Sequence, residues 1–368
     1  MKKRRFAIIT RRLPPATCGI GDYSVRFANT LRMLGYRVDL ISLEDDMDSK
    51  LNSPNLLSYS LSRVSSLLVR LDPSHVLLQF TPQLYLKGAE LELLSLTRFW
   101  AGCRKKWHCS LIVHETYFLE WWYPPSWIRG RKERQLLRSL ASLSDQVFSA
   151  SHPLVEEIRG WDQASRVSVL PIGSNIEVLA KNKDEIRARK GFEPENVVIV
   201  LFGGGNSLRW LASHVNATDR LLRRKGTKLH WVMLGGVSIG WFNLESPHIS
   251  PGHITEFEVS EWLIAADVFI LPHYAGLSAK RGTLMAALAH RLPVVGTETR
   301  MTDKFWRDVR GIQLVPRWPA GRFATAVMTV ISDRNKAVKS GELNGLYFDN
   351  NLSWEVIAKK FLSAVGDA

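Results

Sequence analysis

The stretch from Ala265 to Ala289 limits what this chain can fold into more than any other. Its short apolar run, Val268-Phe269-Ile270-Leu271, stops at Pro272 and passes a loop containing Gly276. It then becomes the alanine- and leucine-rich run Leu284-Met285-Ala286-Ala287-Leu288-Ala289. That is the pattern of a buried strand, a loop and a helix. Lys280 and Arg281 sit where the helix should begin. Positive side chains oppose a helix N-terminus, whose free N–H groups attract anions. The arrangement is comfortable when a phosphate accepts those N–H groups and neutralises both cations.

The same alternation runs along the whole chain. Phe6 to Thr10 reads as a first buried strand. The helix after it is capped by Asp22 or Ser24, buries Phe27, Leu31 and Leu34 on one face, and ends at Gly35. Short strands are expected at Arg37–Ser42, Val76–Phe80, Leu111–His114, Gln146–Ser149 and Ser168–Leu170. The rhythm then restarts with a charged, solvated helix over Asp184–Lys190 and a strand over Asn196–Phe202. Further strands follow at Lys228–Leu234, Asp267–Leu271 and Pro293–Gly296, with a helix over Ser260–Ala265. An α/β chain of two Rossmann-like domains explains this better than one large sheet. The terminal helix, Trp354–Val365, fits either half. With 368 residues and 45% hydrophobic content, the chain can fill two such cores.

A net charge of +14 asks for an anionic partner, whether nucleotide-sugar phosphate, anionic lipid or nucleic acid. Cys18, Cys103 and Cys109 have neither a disulfide framework nor zinc spacing, which suits a reducing cytoplasm. The charged start, Met1 to Arg5, is followed by too short an apolar run for a signal peptide, and no segment is long enough to span a bilayer. Contact with a membrane surface stays open.

Gly19 and Gly21 lie between the first strand and its helix, where glycines allow a tight turn and close approach to a phosphate or sugar; a plain structural turn explains them equally well. Gly203, Gly204 and Gly205 open the second half in the same way, and Arg209 beyond them can clamp a diphosphate. His114 falls at a strand's carboxyl end, where it can take a proton or bond a sugar. Asp22 is a second polar candidate, with helix capping as its alternative. Asp46-Met47-Asp48 reads as a solvated turn, and no metal site is expected. Trp121, Trp122 and Trp127 precede Arg129 and Arg131. Such a segment suits a membrane interface, a carbohydrate platform or single-stranded nucleic acid, or simply a folded lid. No nucleic-acid-binding motif accompanies it, so nucleic acid is disfavoured.

In order along the chain, the glycines at 19 to 21, His114, the stretch Val169 to Asn175, the glycines at 203 to 205 and the run from Ala266 to Pro293 resemble the GT-B glycosyltransferases, specifically glycosyltransferase family 4. The resemblance implies two Rossmann-like domains facing an interdomain cleft, residues 1–175 and 176–353, with a C-terminal helix (354–368) packing on the first. It implies transfer of a sugar from a nucleotide-sugar donor, held by the second domain, to an unidentified carbohydrate, lipid-linked or other small acceptor on the first, with retained anomeric configuration. By the same resemblance, Gly21 approaches the donor phosphates, His114 contacts the transferred sugar and Arg209 meets the diphosphate. No cofactor beyond the donor is expected, and the protein is placed in the cytoplasm, either free or peripheral to the inner face of a membrane. The family commonly carries two glutamates eight positions apart around the donor loop. Here Ser278 and Ala286 stand there, and Arg291 replaces a customary glycine. Neither Ser278 nor Ala286 reproduces a carboxylate's bond to a hydroxyl. Arg281, Gly282 and Thr283 can bind phosphate instead, through guanidinium, backbone and hydroxyl. The alternative is a catalytically inactive binding or partner subunit.

Overall fold

The computed structural model describes residues 4–14, 18–43, 56–85, 90–115, 124–161, 166–204 and 206–367. It divides into two units, Met1–Pro171 with Ile357–Ala368, and Ile172–Val356.

The first unit alternates strand and helix: β1 (Arg5–Thr10), α1 (Gly19–Met33), β2 (Arg37–Ser42), α2 (Leu56–Leu71), β3 (His75–Phe80), α3 (Pro82–Tyr85), α4 (Glu90–Arg104), β4 (His108–Val113), α5 (Pro124–Ser142), β5 (Gln146–Ser149), α6 (His152–Arg159) and β6 (Val167–Val169). The strands pair in the order β2-β1-β3-β4-β5-β6, all parallel. Helices cover both faces, which is why β3 is buried at every position and reads as a nearly unbroken apolar run. One face packs Ala7, Ile9, Val76, Leu78 and Leu111 under Trp100 and Leu137. On the other, the terminal helix supplies Phe361, whose ring lies 5.3 Å from Phe27, 5.5 Å from Phe148 and 5.8 Å from Phe6.

The second unit contains α7 (Lys183–Arg189), β7 (Val197–Gly204), α8 (Asn206–Trp210), α9 (Ala212–Arg224), β8 (Leu229–Gly236), β9 (His248–Ile249), α10 (Glu256–Ala265), β10 (Val268–Leu271), α11 (Gly282–Ala289), β11 (Val294–Glu298), β12 (Ile312–Pro316), α12 (Ala320–Ile331), α13 (Arg334–Asn351) and the start of α14 (Trp354–Ala364). Its parallel sheet runs β12-β11-β10-β7-β8-β9. The chain winds outward from β7 to β9, then returns to lay β10 on β7's other side. That reversal is a topological switch point, and the first unit has one between β1 and β3. In open α/β sheets ligands bind in the crevice outside the carboxyl strand ends at such points.

Several local expectations change. Helix α1 starts at Gly19 with Cys18 as N-cap, so neither Asp22 nor Ser24 caps it and the glycines at 19 and 21 are already helical. Ser24 instead donates its hydroxyl back to the Ile20 carbonyl at 2.7 Å, while Asp22 sits in the first turn, where a negative charge suits the helix dipole. Strand β7 continues through Gly203 and Gly204, because both pair with Gly235 and Gly236 of β8. Helix α10 begins at Glu256 rather than Ser260, since Thr255 and Glu258 form a reciprocal capping box. Helix α7 is only half solvated, as Ile186 and Arg187 are buried.

Candidate functional site

Loop 272–281 joins β10 to α11 at the switch point of the second unit. Residues beyond β11 clamp it. Thr297 Oγ1 accepts the His273 N–H at 2.8 Å and donates to the His273 carbonyl at 2.6 Å. Thr299 Oγ1 donates to the Ala275 carbonyl at 2.7 Å, and the buried Asp303 carboxylate accepts the Ala279 N–H at 2.8 Å. Gly276 has φ +78°, and a Cβ there would lie 2.1 Å from Thr302 Oγ1. The loop therefore has one well-determined path, and it delivers Lys280 and Arg281 to the start of α11.

Arg281 is the N-cap, and its side chain makes no capping hydrogen bond to the helix. The first N–H groups, on Gly282 and Thr283, have no acceptor within the helix. A Cβ at Gly282 would meet nothing within 4 Å, so the approach is open. His273 faces this cationic start, with Nδ1 3.4 Å from Arg281 Nη2. The same nitrogen accepts the Ala275 N–H at 3.1 Å, which leaves the proton on Nε2. Burial, reinforced by Arg281 and Lys280, pulls the His273 pKa down to about 3. The ring is thus a neutral donor beside an anion-seeking helix end. Ser278 is buried, with its hydroxyl turned to the Lys280 N–H at 3.5 Å. Ala286 is fully buried in the core, so no acidic group stands at either family position. Gly204 lies on β7 next to β10, whereas Arg209 is exposed on α8.

At the switch point of the first unit, His114 follows β4. Its Nε2 lies 2.6 Å from Gln79 Oε1, and the Tyr23 ring meets it edge-on at 4.9 Å. Burial lowers its pKa to about 4, so it is a neutral hydrogen-bonding group near pH 7. Among the described residues, nothing hydrogen-bonds Gln79 Nε2 or Thr81 Oγ1, which are buried at the carboxyl end of β3. Such groups seek a partner, and a hydroxyl-bearing ligand supplies one. Gly21 makes a close backbone approach, though to the protein itself: a Cβ there would lie 2.7 Å from the Arg12 carbonyl oxygen. Asp22 is exposed in the first turn of α1, and Arg131 is exposed on α5. Gly205, Trp121, Trp122, the Asp46-Met47-Asp48 turn and the side chains of Trp127 and Arg129 lie outside the described residues.

Sequence reasoning gave no role to His273, Gln79 or Thr81. The signal that flagged His114, a polar residue just past a strand's carboxyl end, applies equally to His273 and Thr81, whereas Gln79 is a polar residue inside the carboxyl end of β3 itself. A cavity of about 760 Å³ lies at the opposite, amino end of β7, β10 and β11. Arg187, one of the cations lining it, is already held by Asp267 at 2.9 Å and by the carbonyls of Ala265 and Asn196. The carboxyl ends are therefore the candidate site.

No family model matches the chain. The solved structure of sucrose-phosphate synthase from Thermosynechococcus elongatus is 16% identical with a TM-score of 0.74, and the match covers 99% of this chain and 98% of that one. The fold is GT-B. Anabaena HepE, solved with UDP and glucose, shares this GT-B fold at 11% identity and a TM-score of 0.68, over 99% and 100% of the two chains. In sequence, the Bacillus subtilis protein TuaC, whose name assigns it a glycosyltransferase step in teichuronic acid biosynthesis, is 30% identical over 158 residues. That match covers 41% of this chain and spans 38% of the length of TuaC. Among the described residues, no helix is long and apolar enough to cross a membrane.

Proposed function

We propose that this GT-B chain transfers a sugar from a nucleotide-sugar donor to a carbohydrate or lipid-linked acceptor, with retention of anomeric configuration. The observation that carries the reading is the open start of α11 at the switch point, flanked by Lys280, Arg281 and neutral His273. A nucleoside diphosphate fits it. When the bond between the sugar's anomeric carbon and the diphosphate oxygen breaks, the electron pair leaves with the diphosphate. The two cations and the N–H groups of Gly282 and Thr283 stabilise that charge. The acceptor hydroxyl attacks the anomeric carbon from the same face and passes its proton to the departing phosphate oxygen. Arg209 and the Thr283 hydroxyl are further phosphate contacts in this reading. His114, with Asp22, Gln79 and Thr81 around the first switch point, is assigned to sugar hydroxyls. With a pKa near 4, it serves as a hydrogen-bond partner rather than a strong base. The similarity to TuaC and to HepE, which was solved with UDP and glucose, supports the donor class. The free cysteines fit a cytoplasmic setting, and the net charge of +14 fits work beside an anionic membrane.

Calorimetric titration with UDP and other nucleoside diphosphates tests this directly. The wild type should bind one of them, and Arg281→Ala should weaken that binding about tenfold or more, the scale of a lost charge-assisted hydrogen bond. Unchanged affinity in the variant would overturn the site. Because Ser278 and Ala286 replace the customary carboxylates, donor binding without release of diphosphate from any nucleotide sugar would make the chain a binding subunit instead.

A further inference from the structure

The described tryptophan and tyrosine side chains that stand exposed, Trp210, Tyr274 and Trp318, gather at one corner of the second unit. They are 53%, 44% and 50% exposed. Trp210 ends α8 after β7, Tyr274 follows β10 and Trp318 follows β12, so three strand ends deliver them to the same edge. Trp210 stands edge-on to Tyr274 at 5.3 Å. The Arg317 guanidinium lies 4.1 Å over the Tyr274 ring, and its Nη1 donates to the Tyr274 carbonyl at 2.7 Å. Trp318 rests on the buried His214 ring at 5.0 Å, and His214 Nε2 bonds the Arg317 carbonyl at 2.5 Å. Met301, 54% exposed, lies on the loop whose Thr299 bonds the Ala275 carbonyl beside Tyr274.

These contacts fix the rings from beneath and leave their outer surfaces in water. Large apolar side chains exposed together at one edge, rather than scattered singly, mark a surface that meets a partner. The surrounding charge is positive. Arg300 and Arg322 are exposed on the adjoining segments, while Glu298 is paired with Arg307 at 2.6 Å. Exposed Trp, Tyr and Met among arginines match the boundary between lipid headgroups and acyl chains. We infer that this corner docks the second unit on an anionic lipid surface, with the rings and Met301 at the headgroup boundary and Arg300 and Arg322 facing lipid phosphates. The inference does not depend on donor chemistry and involves none of residues 121–134.

Co-sedimentation with vesicles of equal parts phosphatidylglycerol and phosphatidylcholine, against phosphatidylcholine alone, tests it. The wild type should bind the anionic vesicles, and more weakly as salt screens the arginines. The Trp210→Ser, Trp318→Ser double variant should bind them about tenfold more weakly or worse while keeping its thermal unfolding. If losing the His214 contact unfolds the double variant, Trp210→Ser with Met301→Ser carries the same expectation without touching His214. Full vesicle binding by folded variants would overturn the inference, as would a wild type indifferent to phosphatidylglycerol. Loss of binding to acidic polygalacturonate fragments, with vesicle binding intact, would make the corner a glycan platform and overturn it too.

Discussion

Arg291 holds a backbone conformation that glycine adopts more cheaply. Its φ is +55°, in the left-handed region, which costs a residue with a Cβ about 1–2 kcal/mol. Helix α13 accommodates it. Glu342 and Asp349 each pair with the guanidinium at 2.9 Å, and Gly341 leaves room where a Cβ would lie 1.9 Å from the Arg291 carbonyl oxygen. Both ion pairs are substantially exposed, so each contributes about 0.5 kcal/mol at most after screening. Arg291→Gly relieves the backbone, forfeits the pairs and loosens the unfolded chain. Those effects nearly cancel, and its stability should stay within about 1 kcal/mol of wild type. Arg291→Ala keeps the strain and loses the pairs, so it should fall about 1 kcal/mol below Arg291→Gly. Denaturant titration ranks the two, and equal stabilities would refute the strain argument. Gly341→Ala should be the worst of the three, because its clash is with backbone rather than with a movable side chain.

At the scale of elements, the loop before α11 depends on partners that follow β11. Gly276→Ala meets both a forbidden φ and the Thr302 hydroxyl, so it should destabilise the second unit by about 2 kcal/mol. It should also weaken diphosphate binding, because Lys280 and Arg281 would lose their fixed path. A variant that unfolds and binds like wild type would show the loop to be tolerant. In the first unit, Phe361→Ala should cost about 3–5 kcal/mol, since its ring packs on Phe6, Phe27 and Phe148 around a closed core. The strands were legible in the sequence because parallel strands buried on both faces are mostly apolar, as β10 is throughout and β3 is apart from His75 and Gln79. The cationic helix start was legible for the same reason, since Lys280, Arg281 and the alanine run are contiguous. The clamps were not. Thr297 reaches His273 across 24 residues and Gln79 reaches His114 across 35, and local pattern carries no trace of pairings at that separation. The glycines at 203 and 204 misled for a related reason. Their pairing with Gly235 and Gly236 is a property of two adjacent strands, whereas a single strand shows only a break in the apolar run.

Over the whole molecule, histidines held neutral set how stability responds to acid, and four of the described ones carry the largest downward shifts. His75 and His114 lie in the first unit, with pKa values pulled down to about 3 and about 4. His273 and His290 lie in the second, at about 3 and about 4. Burial is the main cause in each, aided at His75 by His108 and Arg4 and at His273 by Arg281 and Lys280. Unfolded, all four would take their protons near pH 6.5. Their contribution is therefore complete above about pH 6.5 and is lost as the pH falls toward 4, because the unfolded chain binds protons that the folded units refuse. Two such histidines per unit give a slope approaching about 2.7 kcal/mol per pH unit for each in that window, to which His214, also lowered by burial, adds in the second unit. His290 shows what protonation disrupts. The Ala286 carbonyl can only accept from Nδ1, at 2.7 Å, so Nε2 must accept the Ser260 hydroxyl at 2.8 Å. A second proton removes that acceptor inside the core. Calorimetry from pH 7 to 4.5 should therefore show unfolding of both units moving steadily to lower temperature. His290→Gln should flatten the pH dependence of the second unit by about one proton and leave that of the first unchanged. An unaltered slope would mean that His290 already carries its proton in the folded state, against the bonding its ring makes with Ala286 and Ser260.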